Sequence, residues 1–369
     1  MSVIDSALAQ VKLLQPYTPG KPVEELEREL GISNAIKLAS NENPLGFSDT
    51  VKIAITQASQ KIDLYPDANA YYLKQKLAEK LGIQSDQLTI GNGSNDVLDL
   101  VARTFLERGT EAIYSEFAFL VYALVVQACG ATARIAKAMS LDHAQPYGHD
   151  LAAMLELINE RTRVIFIANP NNPTGTWLSG AELKRFIDQV PTQVAIVIDE
   201  AYFEYVEEND YPSALHWLDD YPNLVVTRTF SKIYGLAGLR IGYAISSKSV
   251  CDLLNRVRQP FNANSLALAA AVSSMDDEGF LQRSRANNIR GLKQLGDYFT
   301  AKNIRYIPSV ANFLTVNFGQ RSDEIYQSLL RRGVIVRPLA NYNMPKFLRI
   351  TIGTEQQLQV LQEKLEPLL

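Results

Sequence analysis

The stretch TRTFSKIYGLAGLRIGYA, residues 227–244, surrounds one lysine with residue types that could activate it and hold an anion. Lys232 follows two hydroxyl residues, Thr229 and Ser231, and Arg240 lies further along the same stretch. A lysine is nucleophilic only when neutral, and nearby positive charge or apolar surroundings favour that form by lowering its pKa. Hydroxyls and a forked guanidinium are typical ligands of a phosphate. We therefore interpret Lys232 as a covalent catalyst beside a phosphate site.

A glycine-rich turn, GNGSND at residues 91–96, gives a second candidate for anion binding. The strand-like run at residues 87–90 leads into it, and a helix is predicted to begin near Ser94. Free N–H groups at a helix N-terminus bind phosphate, and the helix dipole favours negative charge there. The segment is neither a G-x-G-x-x-G motif, because Asp96 holds the last position, nor a P-loop. Considered alone, Ser94 and Asp96 could equally be helix N-caps.

Two further apolar runs end in polar residues. The segment IVIDEAYFEYV, residues 196–206, places Asp199 where an unpaired carboxylate would be costly, so a protonated ring nitrogen is a suitable partner. Tyr202 could bind an oxygen on the same ring. The segment ANPNNPTG, residues 168–175, indicates a rigid turn from which the amide of Asn172 could reach the same ligand. A helix cap at Asp199 and a purely structural turn around Asn172 remain alternatives for each segment alone.

The elements that position these residues predict an α/β fold. Between about residues 41 and 260, helical stretches alternate with short runs that are apolar on both faces, at residues 87–90, 163–168, 194–199 and 224–229. This pattern indicates a mostly parallel sheet covered by helices on both sides, and such sheets bind ligands beyond the carboxyl ends of their strands. One ligand accounts for all four segments, namely pyridoxal 5′-phosphate attached covalently to Lys232, with Asp199 keeping its ring nitrogen protonated.

We predict a large domain and a smaller α+β domain. Residues 1–40 would form an N-terminal arm and part of the small domain, residues 41–260 the large cofactor-binding domain, and residues 261–369 a linking helix and the small C-terminal domain. The pattern predicts one long, bent helix over residues 265–302. Strands at residues 305–318, 334–336 and 347–351 and helices at residues 323–331 and 354–365 are expected after it.

Composition and charge exclude several classes of protein. The chain has 369 residues and a net charge of −4 without basic runs, which argues against nucleic-acid or membrane-surface binding.

The two cysteines of the chain, Cys129 and Cys251, lie far apart in apolar surroundings, which favours free thiols in a reducing compartment. The first ten residues lack the apolar core of a signal peptide, so we expect a cytoplasmic protein. His143 and His149 do not have metal-site spacing, so no metal is expected.

The chain resembles the fold-type I pyridoxal-phosphate aminotransferases, and among them the histidinol-phosphate aminotransferase family. The resemblance covers nearly the whole chain, and the lysine segment, DEAY and NPTG are its most specific parts. The motifs that carry it are YTPGKP, LASNENPLG, LYPD, GNGSND, NPNNPTG, DEAY, TFSKIYGLAGLRIGY and FLRITIG. It implies a mostly parallel seven-stranded sheet in the large domain.

The resemblance implies a role for each matching residue. Lys232 would carry the cofactor, with Asp199 on the ring nitrogen and Tyr202 and Asn172 on the ring oxygen. The cofactor phosphate would be held by Ser94, Asn95, Thr229, Ser231 and Arg240. Phe117 would stack on the ring, although SEFAFLVY departs from the PT(F/Y) pattern of many members. The expected substrate contacts are Arg349 for the carboxylate of the amino donor, and Tyr17, Asn43 and Arg337 for the phosphate end.

The implied activity is amino transfer from L-histidinol phosphate to 2-oxoglutarate by ping-pong chemistry, in histidine biosynthesis. Tyr65 of LYPD would reach the cofactor phosphate of a neighbouring subunit, which implies an obligate homodimer with shared active sites. An aromatic amino-acid aminotransferase is the main alternative, and a decarboxylase of threonine phosphate is another. A nucleotide-binding oxidoreductase would need a G-x-G-x-x-G motif, and a non-catalytic binding protein would not need Lys232, Asp199 and Arg240 together.

Overall fold

The computed structural model describes residues 2–16 and 20–369. In that part of the chain the helices are α1 (Ala9–Lys12), α2 (Val23–Leu30), α3 (Asp49–Ala58), α4 (Tyr71–Leu81), α5 (Ser94–Phe105), α6 (Leu120–Ala128), α7 (Leu151–Glu156), α8 (Gly180–Ile187), α9 (Lys248–Val257), α10 (Ser265–Ser274), α11 (Glu278–Ala301), α12 (Ser322–Arg331) and α13 (Glu355–Leu365). The strands are β1 (Ile36–Lys37), β2 (Leu88–Gly91), β3 (Glu111–Ser115), β4 (Thr132–Ala136), β5 (Thr162–Ala168), β6 (Ala195–Asp199), β7 (Leu224–Thr229), β8 (Gly242–Ser246), β9 (Tyr306–Ile307), β10 (Phe313–Asn317), β11 (Val334–Ile335), β12 (Arg337–Pro338) and β13 (Phe347–Thr351).

A seven-stranded sheet carries most of the predicted site residues. Its strand order is β2-β8-β7-β6-β5-β3-β4. Strand β8 runs antiparallel to its neighbours β2 and β7, and the other neighbouring pairs are parallel. Every residue of β6 and β7 is buried, because helices cover both faces. The prediction of an α/β fold with a mostly parallel seven-stranded sheet is confirmed.

The C-terminal third forms a second sheet, to which the N-terminal segment adds backbone contacts. The antiparallel sheet β12-β13-β10-β9 packs with α11, α12 and α13 around an apolar core. Strand β1 pairs in parallel with β11, and the carbonyl of Leu38 accepts a hydrogen bond from Thr351 N at 2.9 Å. These contacts favour assigning the arm to the small domain. The domain boundaries at residues 40 and 260 stay a prediction.

The prediction of one helix over residues 265–302 is wrong. Helix α10 ends at Ser274 and α11 begins at Glu278. Asp277 separates them, since its side chain accepts a hydrogen bond from Phe280 N at 2.8 Å and caps the start of α11. An Asp followed by an acidic first turn is a helix start signal, and this signal in the sequence could have revealed the break.

A search of residues 2–16 and 20–369 for membrane spans gives a negative result. No helix there is both long enough and apolar enough to cross a bilayer.

Candidate active site

A cavity opens at the carboxyl ends of β5, β6 and β7, and it brings together most of the residues selected from the sequence. The predicted residues on its wall are Ser94, Asn95, Asn172, Asp199, Tyr202, Thr229, Ser231, Lys232, Arg240, Arg337 and Arg349. The site roles of these residues remain proposals. Their convergence follows from parallel strands that end at one edge of the sheet.

Lys232 lies beside cationic groups in this cavity. Its Nζ donates a hydrogen bond to the carbonyl of Ser40 at 3.1 Å. Removal from water lowers the pKa of Lys232 to about 7, and the positive charges of Arg349 and Arg240 act in the same direction. A large fraction of the amine is therefore neutral near pH 7, as a nucleophile or general base requires.

The turn after Lys232 needs a glycine for a close backbone approach. Gly235 has a φ of 73°, and a Cβ there would lie 1.8 Å from the carbonyl oxygen of Gly46. Any side chain would push the lysine turn away from the N-terminal segment that carries Ser40.

The N-terminus of α5 meets Arg240 at one end of the cavity. A Cβ on Gly93 would lie 2.5 Å from Arg240 Nη2, so glycine allows the guanidinium to approach the first turn of the helix. Arg240 Nη1 donates to Ser231 Oγ at 3.3 Å, and Thr229 Oγ1 accepts from Ser231 N at 3.1 Å. Backbone N–H groups, hydroxyls and a guanidinium therefore surround one position suited to a phosphate.

Asp96 belongs to the turn and not to the cavity wall. Its Oδ2 accepts hydrogen bonds from Asn92 N and from Asn262 Nδ2, each at 2.8 Å. The N-cap of α5 is Gly93, so the alternative that Ser94 or Asp96 is the N-cap is wrong. Asp96 instead stabilises the start of α5 through these two hydrogen bonds.

Asp199 is buried at the end of β6 with both carboxylate oxygens hydrogen-bonded. Thr227 Oγ1 donates to Oδ1 and Tyr122 OH donates to Oδ2, each at 3.0 Å. Burial raises the pKa of Asp199 to about 6, and the two donors oppose that rise by stabilising the ionised form. A protonated ring nitrogen in the cavity would provide the positive partner that this carboxylate needs.

Tyr202 and Asn172 connect the two sheets at the cavity. The phenol oxygen of Tyr202 accepts a hydrogen bond from Asn41 Nδ2 at 2.8 Å, and burial raises the pKa of the phenol. Arg349 Nη1 donates to Asn172 Oδ1, and Arg349 Nη2 donates to the carbonyl of Ala39 at 2.9 Å. Arg349 Nε is buried without a hydrogen-bond partner among the described residues. A guanidinium has five N–H donors, so this group has donors beyond the two bonds to Asn172 and Ala39 for an anionic ligand.

The structure does not support the predicted stacking role of Phe117. That side chain packs against Tyr147, with ring centroids 4.5 Å apart, and its carbonyl accepts from Asn171 Nδ2 at 2.8 Å. Phe119, two residues later, lies on the cavity wall instead. The segment lacks the PT(F/Y) pattern that would have shown which aromatic residue corresponds to the stacking position of the family. Phe119 lies directly before α6, and this place at the start of a helix could have identified it.

Asn43 is not placed to bind substrate. Its Nδ2 donates to the carbonyl of Ile233 at 2.7 Å and to Ser284 Oγ at 2.9 Å. Asn43 therefore braces the lysine turn, while Asn41 lies on the cavity wall and was missed from the sequence. The expected substrate contact at Tyr17 lies outside the described residues.

Tyr65 does not contribute to the cavity of its own chain. Its side chain is 84% exposed, and its ring stacks on Phe261 with centroids 4.8 Å apart. This placement is compatible with the expected contact to a neighbouring subunit, which remains a proposal.

Comparison with known proteins identifies the family. The sequence model described as "Aminotransferase class I and II" matches residues 33–365. The chain belongs to the class I and II aminotransferase family. Histidinol-phosphate aminotransferase 2 of Pseudomonas aeruginosa is 54% identical over 355 residues, which cover 95% of each chain. Histidinol-phosphate aminotransferase 1 of Nitrosococcus oceani is 51% identical over 367 residues, covering 98% of this chain and 97% of the relative.

Solved aminotransferase structures share the fold. The histidinol-phosphate aminotransferase of Sinorhizobium meliloti in complex with pyridoxal 5′-phosphate superposes with a TM-score of 0.88 at 26% identity, covering 99% of this chain and 100% of that one. A mutant aspartate aminotransferase of Thermus thermophilus superposes with a TM-score of 0.82, and at 19% identity that similarity concerns the fold alone.

The cavity of this aminotransferase-family chain fits pyridoxal 5′-phosphate. Arg240 lies close to Gly93 at the start of α5, where it could bind the phosphate group of the cofactor. The buried carboxylate of Asp199 could pair with a protonated ring nitrogen. Lys232 lies on the same wall with an amine whose pKa is lowered to about 7. Phe119 lines the cavity where a flat ring could pack. Each chemical feature of the cofactor therefore has a complementary group among the described residues.

Proposed function

We propose that this chain transfers the amino group between L-histidinol phosphate and 2-oxoglutarate, giving imidazole acetol phosphate and glutamate in histidine biosynthesis. The observation that carries the proposal is the amine of Lys232, with a pKa lowered to about 7, in a cavity that also contains Asp199, Arg337 and Arg349. Relatives that are 54% and 51% identical over nearly the whole chain bear the name of this activity.

Lys232 supplies the proton transfers in this proposal. Pyridoxal 5′-phosphate, when bound, supplies an electron sink for the negative charge that develops at the substrate Cα. Lys232 Nζ would accept the proton from Cα and deliver it to C4′ of the cofactor, and it would move a proton from C4′ back to Cα in the second half-reaction. A pKa near the working pH suits both directions of this transfer. Asp199 holds the proton on the ring nitrogen, and Tyr202 and Asn172 orient the ring oxygen. Ser94, Asn95, Thr229, Ser231 and Arg240 hold the phosphate at the N-terminus of α5.

Two arginines serve the two substrates in turn. L-Histidinol phosphate carries a phosphate monoester, whereas 2-oxoglutarate and glutamate carry carboxylates. Arg349 lines the cavity and binds the carboxylate next to the reacting carbon, using guanidinium N–H groups beyond those that contact Asn172 and Ala39. Arg337, together with Tyr17, binds the phosphate end. A ping-pong sequence lets one cavity accept both anions because the substrates never occupy it together.

The active enzyme is a homodimer in this proposal. A group of exposed apolar side chains on the large domain, which would be costly to leave in water, supports it. Its members are Ile53, Ile62, Leu64, Tyr65, Tyr71 and Tyr72. Tyr65 would extend from this surface into the phosphate site of the second copy.

The proposed location is the cytoplasm. Both cysteines of the chain, Cys129 and Cys251, are free thiols, as a reducing compartment favours.

Steady-state kinetics of the purified, cofactor-loaded protein test the substrate assignment. Glutamate formation is measured with 2-oxoglutarate as acceptor and with L-histidinol phosphate, phenylalanine or tyrosine as donor. The proposal requires the highest kcat/KM for L-histidinol phosphate. A higher kcat/KM for phenylalanine or tyrosine would move the assignment to an aromatic amino-acid aminotransferase while keeping the cofactor chemistry.

A further inference from the structure

Tyr122 occupies a fixed position between the cavity wall and the central sheet. Its side chain is fully buried, and its ring stacks on Phe166 of β5 with centroids 4.9 Å apart and planes at 11°. On the other side it meets Phe119 edge to face at 5.8 Å and 88°. The phenol then reaches Asp199 Oδ2 at 3.0 Å. Packing on both sides therefore holds the hydroxyl against one oxygen of this carboxylate.

We propose that Tyr122 is a positioning residue that keeps the Asp199 carboxylate ionised and aimed at the ring nitrogen of pyridoxal 5′-phosphate. The inference rests on the proposed function, since it assumes that Asp199 pairs with this cofactor. It gives α6 a role at the site that the sequence motifs did not reveal.

The energetic reasoning starts from the burial of Asp199. Loss of water favours the neutral carboxyl, which could not form an ion pair with a protonated ring, and hydrogen-bond donors to the carboxylate oppose that preference. Burial and the neighbouring Asp199 raise the pKa of Tyr122 well above its usual value, so the phenol remains a donor at every working pH. Thr227 donates to the other oxygen, so the two hydroxyls together fix the plane of the carboxylate.

Phe119 gives Tyr122 a second connection to the cofactor position. Phe119 lines the cavity and contacts the edge of the Tyr122 ring. The same helix therefore supports both the residue that would pack on the cofactor ring and the residue that orients the partner of its nitrogen. A purely structural Tyr122 would stabilise the fold without distinguishing between cofactors that have or lack that nitrogen.

The test compares two cofactors on the full-length apoprotein. Dissociation constants are measured by fluorescence for pyridoxal 5′-phosphate and for its carbocyclic analogue, in which CH replaces the ring nitrogen. The wild type should bind the natural cofactor more tightly than the analogue. Tyr122→Phe should reduce this preference roughly 10-fold or more, because a hydrogen bond to a charged group is lost. Tyr114→Phe is the matched control, since this buried phenol lies next to Tyr122 and loses the same atom.

Each outcome has a separate meaning. An unchanged preference in Tyr122→Phe, with the wild type discriminating, would overturn the role of Tyr122 and leave the proposed function standing. A wild type without any preference would instead contradict the pairing of Asp199 with the ring nitrogen. If the phenylalanine variant does not fold, Tyr122→4-aminophenylalanine and Tyr122→4-methylphenylalanine fill the phenol's place, and the proposal requires that only the first retain the preference.

Discussion

Arg337 and Arg349 are directly opposite residues on the antiparallel strands β12 and β13, and both side chains line the same cavity. The two are 5% and 6% exposed, so two permanent positive charges are buried side by side. Both guanidinium groups belong to one cavity, and guanidinium groups bind carboxylates and phosphates through forked hydrogen bonds. The pair therefore indicates a site built for anions, as the proposed substrates require.

The two arginines should separate kinetically. Arg349→Lys should raise KM for 2-oxoglutarate by roughly 10- to 100-fold, because an ammonium cannot reproduce the forked donor set that also contacts Asn172 and Ala39. Arg337→Lys should act mainly on KM for L-histidinol phosphate. Arg305→Lys is the control, since this exposed arginine pairs with Asp142 at the surface. Equal effects of both cavity variants on both substrates would contradict the assignment.

Lys232 should make the folding stability of the cofactor-free protein depend on pH. Its pKa falls from 10.5 to about 7 in the folded chain, so burying the ammonium costs stability in full below pH 7. That cost disappears as the pH rises from 7 towards 10.5. Lys232→Met should therefore raise the melting temperature by several degrees at pH 6, and the difference should diminish towards pH 10.

The exposed Lys293 provides the control for this prediction. Lys293→Met removes a similar amine from the surface, where its ion pair with Asp297 is solvated, and should bring no comparable gain at pH 6. A stability difference for Lys232→Met that is the same at pH 6 and pH 10 would contradict the lowered pKa.

Asn41 should support the catalytic role of Tyr202 through the hydrogen bond that it donates to the phenol oxygen. Asn41→Asp keeps the acceptor that Thr351 Oγ1 uses and suits the φ of 57°, but it removes the donor to the phenol oxygen. The expected loss in kcat is roughly 3- to 10-fold. A double-mutant cycle provides the check: in the Tyr202→Phe background the same substitution should have little further effect, whereas additive losses would place the action of Asn41 elsewhere.

Tyr65 should act across subunits. Mixing Lys232→Ala chains with Tyr65→Ala chains, each of low activity alone, should restore activity after subunit exchange, because one site in each hybrid dimer has both residues. If Tyr65 acted within its own chain, or if the protein were a monomer, mixing would restore nothing. Size measurement by analytical ultracentrifugation distinguishes those two outcomes.

The sequence identified strand ends better than loops. Asp199, Thr229 and Lys232 could be located because buried apolar runs end next to them, and parallel strands bring such ends together. Phe117 and Asn43 lie in irregular segments, where no repeating pattern shows which side chains face the cavity. The cavity is lined instead by Phe119 and Asn41, each two residues away from the predicted position.

Long-range pairing was also not readable from the sequence. The opposition of Arg337 and Arg349 depends on the register of β12 against β13, which no local pattern specifies. The hydrogen bond from Tyr122 to Asp199 joins residues that are 77 positions apart, so no local pattern around α6 reveals this contact to the site.

A single half-reaction tests the central claim most directly. L-Histidinol phosphate is added, without an amino acceptor, to the purified protein loaded with pyridoxal 5′-phosphate, and the visible absorbance of the cofactor is followed over time. The account predicts rapid loss of the visible band at low substrate concentration, much slower loss with phenylalanine, and neither band nor turnover in Lys232→Ala. An unchanged band with L-histidinol phosphate, together with bleaching by phenylalanine or tyrosine, would contradict the proposed substrate.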